Sequence, residues 1–245
     1  IVGGLLWASS YLQAAAQEYK LWYDEPAQVW TEALPLGNGR LGAMVFGNPG
    51  VEHIQLNEET IWAGRPNNNA NPNALEYIPK VRQLVFEGKY LEAQTLATEK
   101  IMAKTNSGMP YQSFGDLHIS FPGHTRYSDY YRELSLDSAR IIVRYKVDGV
   151  TYQRETLTSF ADQVVMVRLT ASQPGKITCN ANLTTPHQDV MVSTEGEEVT
   201  LSGVSSWHEG LKGKVEFQGR MTARSQGGTQ SCRDGVLSIE GADEA

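Results

Sequence analysis

The sequence predicts a mainly β protein, a large antiparallel β-sandwich with a short helical insertion. Segments of strand length recur along the chain and are separated by turn residues such as Asp148-Gly149 and Pro174-Gly175. Helical spacing is confined to residues 74–104. Strands do not alternate regularly with helices, as a parallel sheet would require, so a sandwich is the expected architecture.

Composition permits one large all-β domain or two small ones. The chain has 245 residues, and 40% of them are hydrophobic, which is enough for a core that needs no disulfide or metal cross-links. Lys and Arg total 21 against 28 Asp and Glu, and the net charge of -7 comes without a basic stripe. We therefore expect no nucleic-acid partner, because phosphate backbones are bound by clustered basic side chains.

The first sixteen residues are typical of an export signal. They carry no charge, begin with an apolar run over residues 1–8 and end in three alanines, a small-residue cleavage pattern. We expect residues 1–16 to be a signal-peptide remnant that lacks its initiator Met and basic region, followed by a mature domain over residues 17–245. The alternative is an N-terminal helix packed in the core. The run is too short and too interrupted by Ser and Gly to span a membrane well. From the signal-peptide pattern we expect a secreted bacterial protein, in the periplasm or at the cell surface.

The mature chain opens with a predicted β-hairpin. Turn residues 37–39 precede an apolar run that predicts a buried strand over residues 41–46. Asn48-Pro49-Gly50 ends this strand, and the alternation over residues 51–56 predicts the returning one.

Two helices are predicted next, after a polar loop over residues 67–73. Apolar residues recur at helical spacing from Leu75 to Val85, Asn73 stands at the N-cap position, and Gly88 is a natural stop. A second helix is expected over about residues 91–104.

Beyond Ser113 the pattern predicts strands almost throughout. Asp148-Gly149 predicts a two-residue hairpin turn between two of them. The predicted strands are 116–121, 139–147, 150–158, 163–170, 176–183, 214–223 and 236–240. Because the last strand stands so close to the end of the sequence, we expect a fragment whose sandwich is incomplete and has an open edge.

Cysteines and metal-ligand residues give weak signals. Cys179 and Cys232 lack the spacing of a zinc site or a disulfide scaffold, so two buried free thiols are expected, with one disulfide as the alternative. Asp116 and His118 share one strand face, but no third ligand with matching spacing is visible. We expect no metal site and no cofactor.

Acidic and aromatic residues leave alternatives open. Glu58 and Glu59 are neighbours in an extended stretch and point to opposite faces, so they cannot flank one scissile bond. The pair His208-Glu209 after Trp207 puts an acid–base pair and an aromatic platform in one loop, as at a sugar-binding rim. The alternative is a packed Trp beside a solvated His-Glu pair. Trp62 either stacks on a sugar or closes the end of the sandwich.

Long strings of this sequence resemble glycoside hydrolase family 95. LWYDEPAQVWTEALPLGNGRLGAMVFG, residues 21–47, is similar to the opening of that family, and the likeness continues through IQLNEETIWAGRP, residues 54–66. It extends through EYIPKVRQLVFEGKYLEAQ, MPYQSFGDLHISFPGH, YRELSLDSA, VTYQRETLTSFADQVVMVRLTA and HEGLKGKVEFQGR. Nearly the whole mature chain is covered.

The resemblance implies the N-terminal sandwich, of the super-sandwich type, of a bacterial α-L-fucosidase. In that family the sandwich precedes an (α/α)6 barrel that holds the active site, and then a small C-terminal β domain. The family performs inverting hydrolysis of terminal α-L-fucosyl linkages, in some members α-L-galactosyl ones, with acid and water-activating groups in the barrel. This chain corresponds to the sandwich only, so no catalytic residue is assigned and we expect it to be inactive alone.

The same resemblance places candidate residues at a pocket rim. Asn57, Trp62 and Gln112 lie in matching strings beside turn-rich sequence, and with Trp207 and His208 they are expected to border the substrate pocket. The alternative for the first three is packing against the barrel. The implied partners are a glycan substrate, reached through the parent enzyme, and the barrel of the same polypeptide, which predicts an exposed apolar patch. A free-standing carbohydrate-binding sandwich and a purely structural interaction module are the alternative functions.

Overall fold

Most of the molecule consists of strands in which buried and exposed side chains alternate. The computed structural model describes residues 19–103 and 108–245. All the strand pairings in this part are antiparallel, and a pair of helices interrupts them, so the predicted class is confirmed. The signal-peptide remnant predicted over residues 1–16 lies outside the described residues.

The described elements follow one another as strands, apart from a short 3-10 helix, Trp30–Glu32, and two α-helices. The helices are α1 (Ala74–Phe86) and α2 (Tyr90–Lys100). The strands are β1 (Lys20–Tyr23), β2 (Leu34–Gly37), β3 (Leu41–Val45), β4 (Val51–Glu58), β5 (Gly115–Ser120), β6 (Ser128–Ser135), β7 (Arg140–Val147), β8 (Val150–Ser159), β9 (Val164–Ala171), β10 (Ile177–Thr184), β11 (Val190–Glu195), β12 (Glu198–Val204), β13 (Glu216–Thr222), β14 (Thr229–Arg233) and β15 (Val236–Ala242).

The strands form three sheets. A seven-stranded sheet has the order β14-β15-β10-β5-β4-β3-β2, a five-stranded sheet the order β1-β6-β7-β8-β9, and a three-stranded sheet the order β11-β12-β13. Strands β2 and β3 pack against the five-stranded sheet, whereas β12 packs against β10 and β15. Both smaller sheets therefore cover the inner face of the seven-stranded sheet.

The main core lies between the two larger sheets. Strand β7 contributes Ile141, Val143 and Tyr145 at alternate positions, each about 1% exposed, and β4 contributes the fully buried Ile54. Complete burial of an aliphatic side chain of this size stabilises the fold by about 1.5–3 kcal/mol relative to exposure. The period of two along each strand thus sets which side of the sheet faces inward.

The hairpin between β7 and β8 turns as the sequence predicts. Val147 and Val150 are register partners, and the two residues between them have positive φ angles, 48° at Asp148 and 77° at Gly149. Positive φ at both central residues is the property of a type I′ turn, whose twist matches that of the strands.

A buried ion pair fixes the turn between β3 and β4. Arg154 Nη1 donates to Glu52 Oε2 at 2.9 Å and to the Asn48 carbonyl oxygen at 2.8 Å. Its Nη2 donates to the Pro49 carbonyl, while the Gly47 amide donates to Glu52 Oε1 at 2.7 Å. Because each charge is hydrogen-bonded several times, the pair is tolerated inside an apolar core.

The helical pair is confirmed, but its apolar face is not buried as the spacing predicts. Only Leu84 of α1 and Ala93 of α2 are buried, whereas Leu75 and Phe86 are about 80% exposed. Asn73 makes no side-chain capping bond; Asn71 instead donates to carbonyls at the end of α2. No helix in the described ranges is long and apolar enough to cross a membrane.

Several strands escape the sequence analysis, among them β6, β11, β12 and β14. These segments are rich in Ser, Thr and Glu, and β11 has mostly exposed residues on both faces. Strand preference depends on the neighbours that a strand acquires on folding, so such segments give little local signal.

The two cysteines are free thiols, as expected, but only Cys179 is buried. Burial raises the pKa of its thiol to about 11, which keeps it protonated and unreactive at neutral pH. Cys232 is half-buried, so the expectation of two buried thiols is corrected: β14 is an edge strand and leaves that side chain partly open.

Candidate functional site

Three loop segments lie side by side beyond the end of β4. The Gly64 amide donates to the Ser206 carbonyl at 2.8 Å, and the Lys214 amide donates to the Gly64 carbonyl at 2.9 Å. The Ala63 amide donates to the Pro110 carbonyl at 3.0 Å. We call the surface formed here the rim, comprising Asn57, Trp62, Tyr111, Gln112, Trp207 and His208.

Trp62 and Tyr111 form an aromatic pair at the rim. Their ring centroids are 5.6 Å apart at 71°, an edge-to-face contact, and each side chain is close to half exposed. Trp62 Nε1 donates to the Glu59 carbonyl at 3.0 Å, and the Tyr111 hydroxyl lies 3.1 Å from the Glu58 carbonyl and 3.3 Å from Asn57 Oδ1. The polar ends are thus held by protein while ring surface stays open for stacking.

Gln112 holds the neighbouring loop in place. Its side-chain oxygen accepts a hydrogen bond from the Ser206 backbone amide at 3.0 Å, and its backbone amide donates to the Ile61 carbonyl at 2.9 Å. Beneath it, the buried His187 bridges the Ser206 hydroxyl at 3.1 Å and the Ser113 carbonyl at 2.9 Å. The structure therefore gives Gln112 a positioning contact between two loops.

Trp207 and His208 sit on a tight turn at the same rim. Trp207 is 62% exposed and follows directly after Ser206. His208 and Leu211 exchange two backbone hydrogen bonds, of 3.0 and 2.9 Å, and Glu209 at the corner has a φ of 44°. No ring contact joins Trp207 to Trp62 within the described ranges, so the two tryptophans are separate exposed platforms.

Glu58 is an ionised anchor in this region. Its carboxylate accepts hydrogen bonds from the Thr60 amide at 2.8 Å, from the Thr60 hydroxyl at 2.6 Å and from Arg40 Nε at 2.9 Å. Burial acts to raise its pKa, but the bonds from Thr60 and Arg40 outweigh burial and hold the pKa below its usual value. A group so stabilised as a carboxylate is poorly suited to be a general acid.

Sequence reasoning missed Tyr111 and His187, which hold the rim together. Tyr111 stands in the same MPYQSF string as Gln112, so its aromatic side chain beside a candidate residue was the available signal. His187 has no such signal, because its bonds to Ser206 and Ser113 join residues that lie 19 and 74 positions away.

An apolar cleft opens between the edges of the two smaller sheets. Its volume is about 650 Å³, its walls are β9 and β13, and its floor is the inner face of the seven-stranded sheet. The lining includes Leu117, Val165, Val167 and Met221. This cleft, together with the exposed apolar side chains of α1 and α2, accounts for the expected apolar surface.

Three metal-ligand side chains meet on the outer face of the seven-stranded sheet. His53 Nε2 lies 2.6 Å from Asp116 Oδ1, and the rings of His53 and His118 stack with centroids 4.9 Å apart. One ligand atom from each residue lies within 4.8 Å of the others. The sequence placed Asp116 and His118 on one face but missed His53, which corrects the expectation that no third group is available.

Comparisons with known proteins agree on one family. The family described as "Glycosyl hydrolase family 65, N-terminal domain" matches residues 21–245. Over 171 residues, 67% of the chain, it is 39% identical to a protein named "Alpha-L-fucosidase 2" from Arabidopsis thaliana. Proteins named "Probable alpha-fucosidase A" are 31% identical over 75% of the chain in Aspergillus niger and 28% identical over 66% in Aspergillus oryzae. The chain spans 20–24% of the length of these curated relatives.

Proposed function

Because the chain belongs to the glycosyl hydrolase family 65 N-terminal domain family, we propose that it is the non-catalytic N-terminal domain of an α-L-fucosidase-type enzyme. The resemblance to an N-terminal glycoside hydrolase domain is confirmed, although the matching family carries the number 65 where the strings indicated 95. The 39% identity to an α-L-fucosidase is the observation that carries the proposal.

The rim supports a role at the border of the substrate pocket. Sugar rings present apolar faces that stack on open aromatic rings, and Trp62, Tyr111 and Trp207 all expose such rings. The side-chain oxygens of Asn57 and Gln112 and the Trp62 indole N–H are already bonded to protein, so the rim offers mainly aromatic contact surface. Such a surface fits binding better than acid–base chemistry.

The chemistry of the parent enzyme is assigned to its remaining chain. Inverting hydrolysis of a terminal α-L-fucosyl or α-L-galactosyl group needs an acid and a water-activating group roughly 6.5–9.5 Å apart. Glu58, whose backbone carbonyl lies 3.1 Å from the Tyr111 hydroxyl, is held ionised by Thr60 and Arg40 and does not supply the acid. We assign both roles to the catalytic barrel expected in the same polypeptide.

The apolar cleft is the proposed contact with the rest of the parent enzyme. Its two walls, β9 and β13, are both edge strands of their sheets. Leu169 of β9 already pairs with Ala245, and the remaining positions of both edges have backbone groups that a further strand of the described sheets does not pair. The relatives are four to five times as long as the matched region. Further strands of the same polypeptide, entering between β9 and β13, would pair with both edges and cover the apolar floor.

Export of the protein to the periplasm or cell surface of a bacterium is part of the proposal. The charge-free segment over residues 1–16 and its three closing alanines support it. N-terminal sequencing of the exported protein tests this: a mature start at Gln17 is expected, and a retained segment in a cytoplasmic protein would contradict export.

Substitutions at the rim of the parent enzyme test its role. Trp62→Ala and Tyr111→Ala should raise the KM for a fucosylated oligosaccharide by roughly 2-fold to 13-fold, because an aromatic stacking contact is worth on the order of 0.5–1.5 kcal/mol. The kcat should change little, since neither residue is placed at the reacting atoms. Trp22→Ala is the matched control, an exposed tryptophan on β1 in the other sheet. An unchanged KM in both rim variants would refute the rim assignment.

A free-standing carbohydrate-binding module is the second candidate, favoured by the same exposed rings. It differs in what the 245-residue chain does alone. Saturable binding of a fucosylated glycan, lost in Trp62→Ala or Trp207→Ala, would favour this candidate. Absence of binding by the folded chain leaves the domain of a larger enzyme as the better account.

A further inference from the structure

The outer face of the seven-stranded sheet holds a cluster of two imidazoles and one carboxylate that the proposed function does not use. In the antiparallel pair of β4 and β5, His53 is the register partner of His118, and Gln55 is the partner of Asp116. Ile54, between His53 and Gln55, points into the core, so alternation directs all three cluster side chains outward. We propose that His53, Asp116 and His118 form a binding site for a divalent transition-metal ion such as Zn²⁺.

The donor set matches this class of ion. Two imidazole nitrogens with one carboxylate oxygen is a combination that suits Zn²⁺ and its neighbours, whereas Mg²⁺ and Ca²⁺ prefer oxygen ligands. Zn²⁺ binds nitrogen at about 2.0–2.1 Å and carboxylate oxygen at about 2.0–2.2 Å, so its ligand atoms stand roughly 3–3.5 Å apart. The three ligand atoms lie within 4.8 Å of one another, so they need to close by at most about 1.5 Å to reach this spacing.

The surroundings hold the ligands in place. The Phe46 ring stacks on the His53 ring, with centroids 4.3 Å apart. His53 lies on β4, which has a strand paired on each side. Rigid strands and packed rings reduce the conformational entropy that ligands lose when a metal binds. Three protein ligands leave one coordination position for water or another group.

His118 is ready to act as a ligand. Its ring makes no hydrogen bond within the described part of the chain and is engaged only by stacking on His53. A neutral imidazole keeps the lone pair that a metal requires.

A plain ion pair between His53 and Asp116, with His118 as a bystander, is the competing interpretation. The two interpretations differ in what His118 contributes. In the ion pair, His118 makes no polar contact, so its replacement would leave the pair intact. In the metal site, His118 is one of the three ligands, and its replacement removes a bond to the ion.

Thermal unfolding of the full chain with added metal separates them. After treatment with a chelator, the chain should gain Tm on addition of Zn²⁺, because a ligand at 100 times its Kd stabilises the folded state by about 2.7 kcal/mol. Mg²⁺ at the same concentration should give no shift. Co²⁺ should produce the visible absorption of a four-coordinate site.

Three variants complete the test. His118→Gln should weaken Zn²⁺ binding by at least the roughly 10-fold to 100-fold found for loss of outer-shell partners, and Asp116→Asn should do the same. His208→Gln, at another partly exposed histidine, should bind Zn²⁺ as the unaltered chain does. The absence of any Zn²⁺-dependent shift, or a shift that survives His118→Gln, would overturn the proposal without bearing on the enzyme assignment.

Discussion

Single residues decide how the core tolerates charge, and Arg154 is the clearest example. Its side chain is 2% exposed, and the guanidinium lies 4.1 Å from the centroid of the Phe121 ring. Besides Glu52, it donates to the Tyr145 hydroxyl at 2.8 Å. The residue therefore joins β8, β7 and the turn before β4, and its removal would leave a buried carboxylate without its cation.

Loss of Arg154 should destabilise the chain strongly. Arg154→Ala is expected to lower the free energy of unfolding by about 3–5 kcal/mol, because Glu52 stays buried without a partner. Arg140→Ala is the matched control, since it breaks an exposed ion pair with Glu155 and should change stability by about 1 kcal/mol or less. Denaturant titration measures both, and equal effects would contradict the role given to the buried pair.

His124 gives the stability a dependence on pH. Burial, and then the nearby Arg154, lower its pKa to about 4, while Asp148 acts in the opposite direction. An unfolded histidine has a pKa of about 6.5, so between these values the unfolded chain binds more protons than the folded chain. Stability from His124 is therefore complete above pH 6.5 and is lost as the pH falls towards 4.

Unfolding at two pH values checks this contribution. The free energy of unfolding should fall between pH 7.5 and pH 5.5 in the unaltered chain, and less so in His124→Gln. The hydrogen-bonded partner of the ring is Tyr145, which titrates far above this range. An identical slope in His124→Gln would show that other groups carry the pH dependence.

At the scale of elements, two glycines with positive φ, one in the turn after β7 and one at the start of β5, differ in their surroundings. Gly149 has a φ of 77°, and a Cβ added there would meet nothing within 4 Å. Gly115 has a φ of 150°, and a Cβ there would lie 2.1 Å from the Thr184 carbonyl oxygen on β10. Position 149 requires glycine for its backbone angle alone, whereas position 115 requires it also because two strands approach closely there.

Alanine at these two positions should therefore have unequal effects. Gly149→Ala is expected to lower the free energy of unfolding by roughly 1–2 kcal/mol through backbone strain. Gly115→Ala should lower it by clearly more, since β5 and β10 must also move apart. Thermal or denaturant unfolding compares the two variants, and a Gly115→Ala chain as stable as Gly149→Ala would contradict the close approach.

Local elements follow from sequence, whereas the relations between elements do not. The Asp148-Gly149 turn and both helices carry their signals within a few residues. Strand β11, exposed on both faces, carries none. The apolar stripe of α1 indicates a helix but not whether anything covers it, and most of it is exposed.

The functional surfaces were predictable to the same limited degree. Asn57 and Trp62 fall in one sequence string, and Tyr111 brings them together from 54 residues away. His53 joins Asp116 and His118 only because β4 pairs with β5 in one register, a relation that neither strand contains alone.

The whole molecule combines a partly uncovered inner sheet face with an exposed aromatic rim. The cleft between β9 and β13 exposes apolar residues that a complete sandwich would bury, and the rim lies where loops from several strands meet. Both features fit a domain that works as part of a longer enzyme. The match over residues 21–245 and the α-fucosidase names of the relatives fit the same account.

Release of L-fucose from a terminal α-L-fucosyl oligosaccharide tests the central claim most directly, measured for the parent enzyme and for the purified 245-residue chain. Circular dichroism of the chain should first show a β spectrum, so that inactivity is not due to unfolding. We expect the parent enzyme to release L-fucose and the folded 245-residue chain to release none. Turnover that co-purifies with the folded chain would contradict a non-catalytic domain, and a parent enzyme that releases no fucose would contradict the fucosidase assignment.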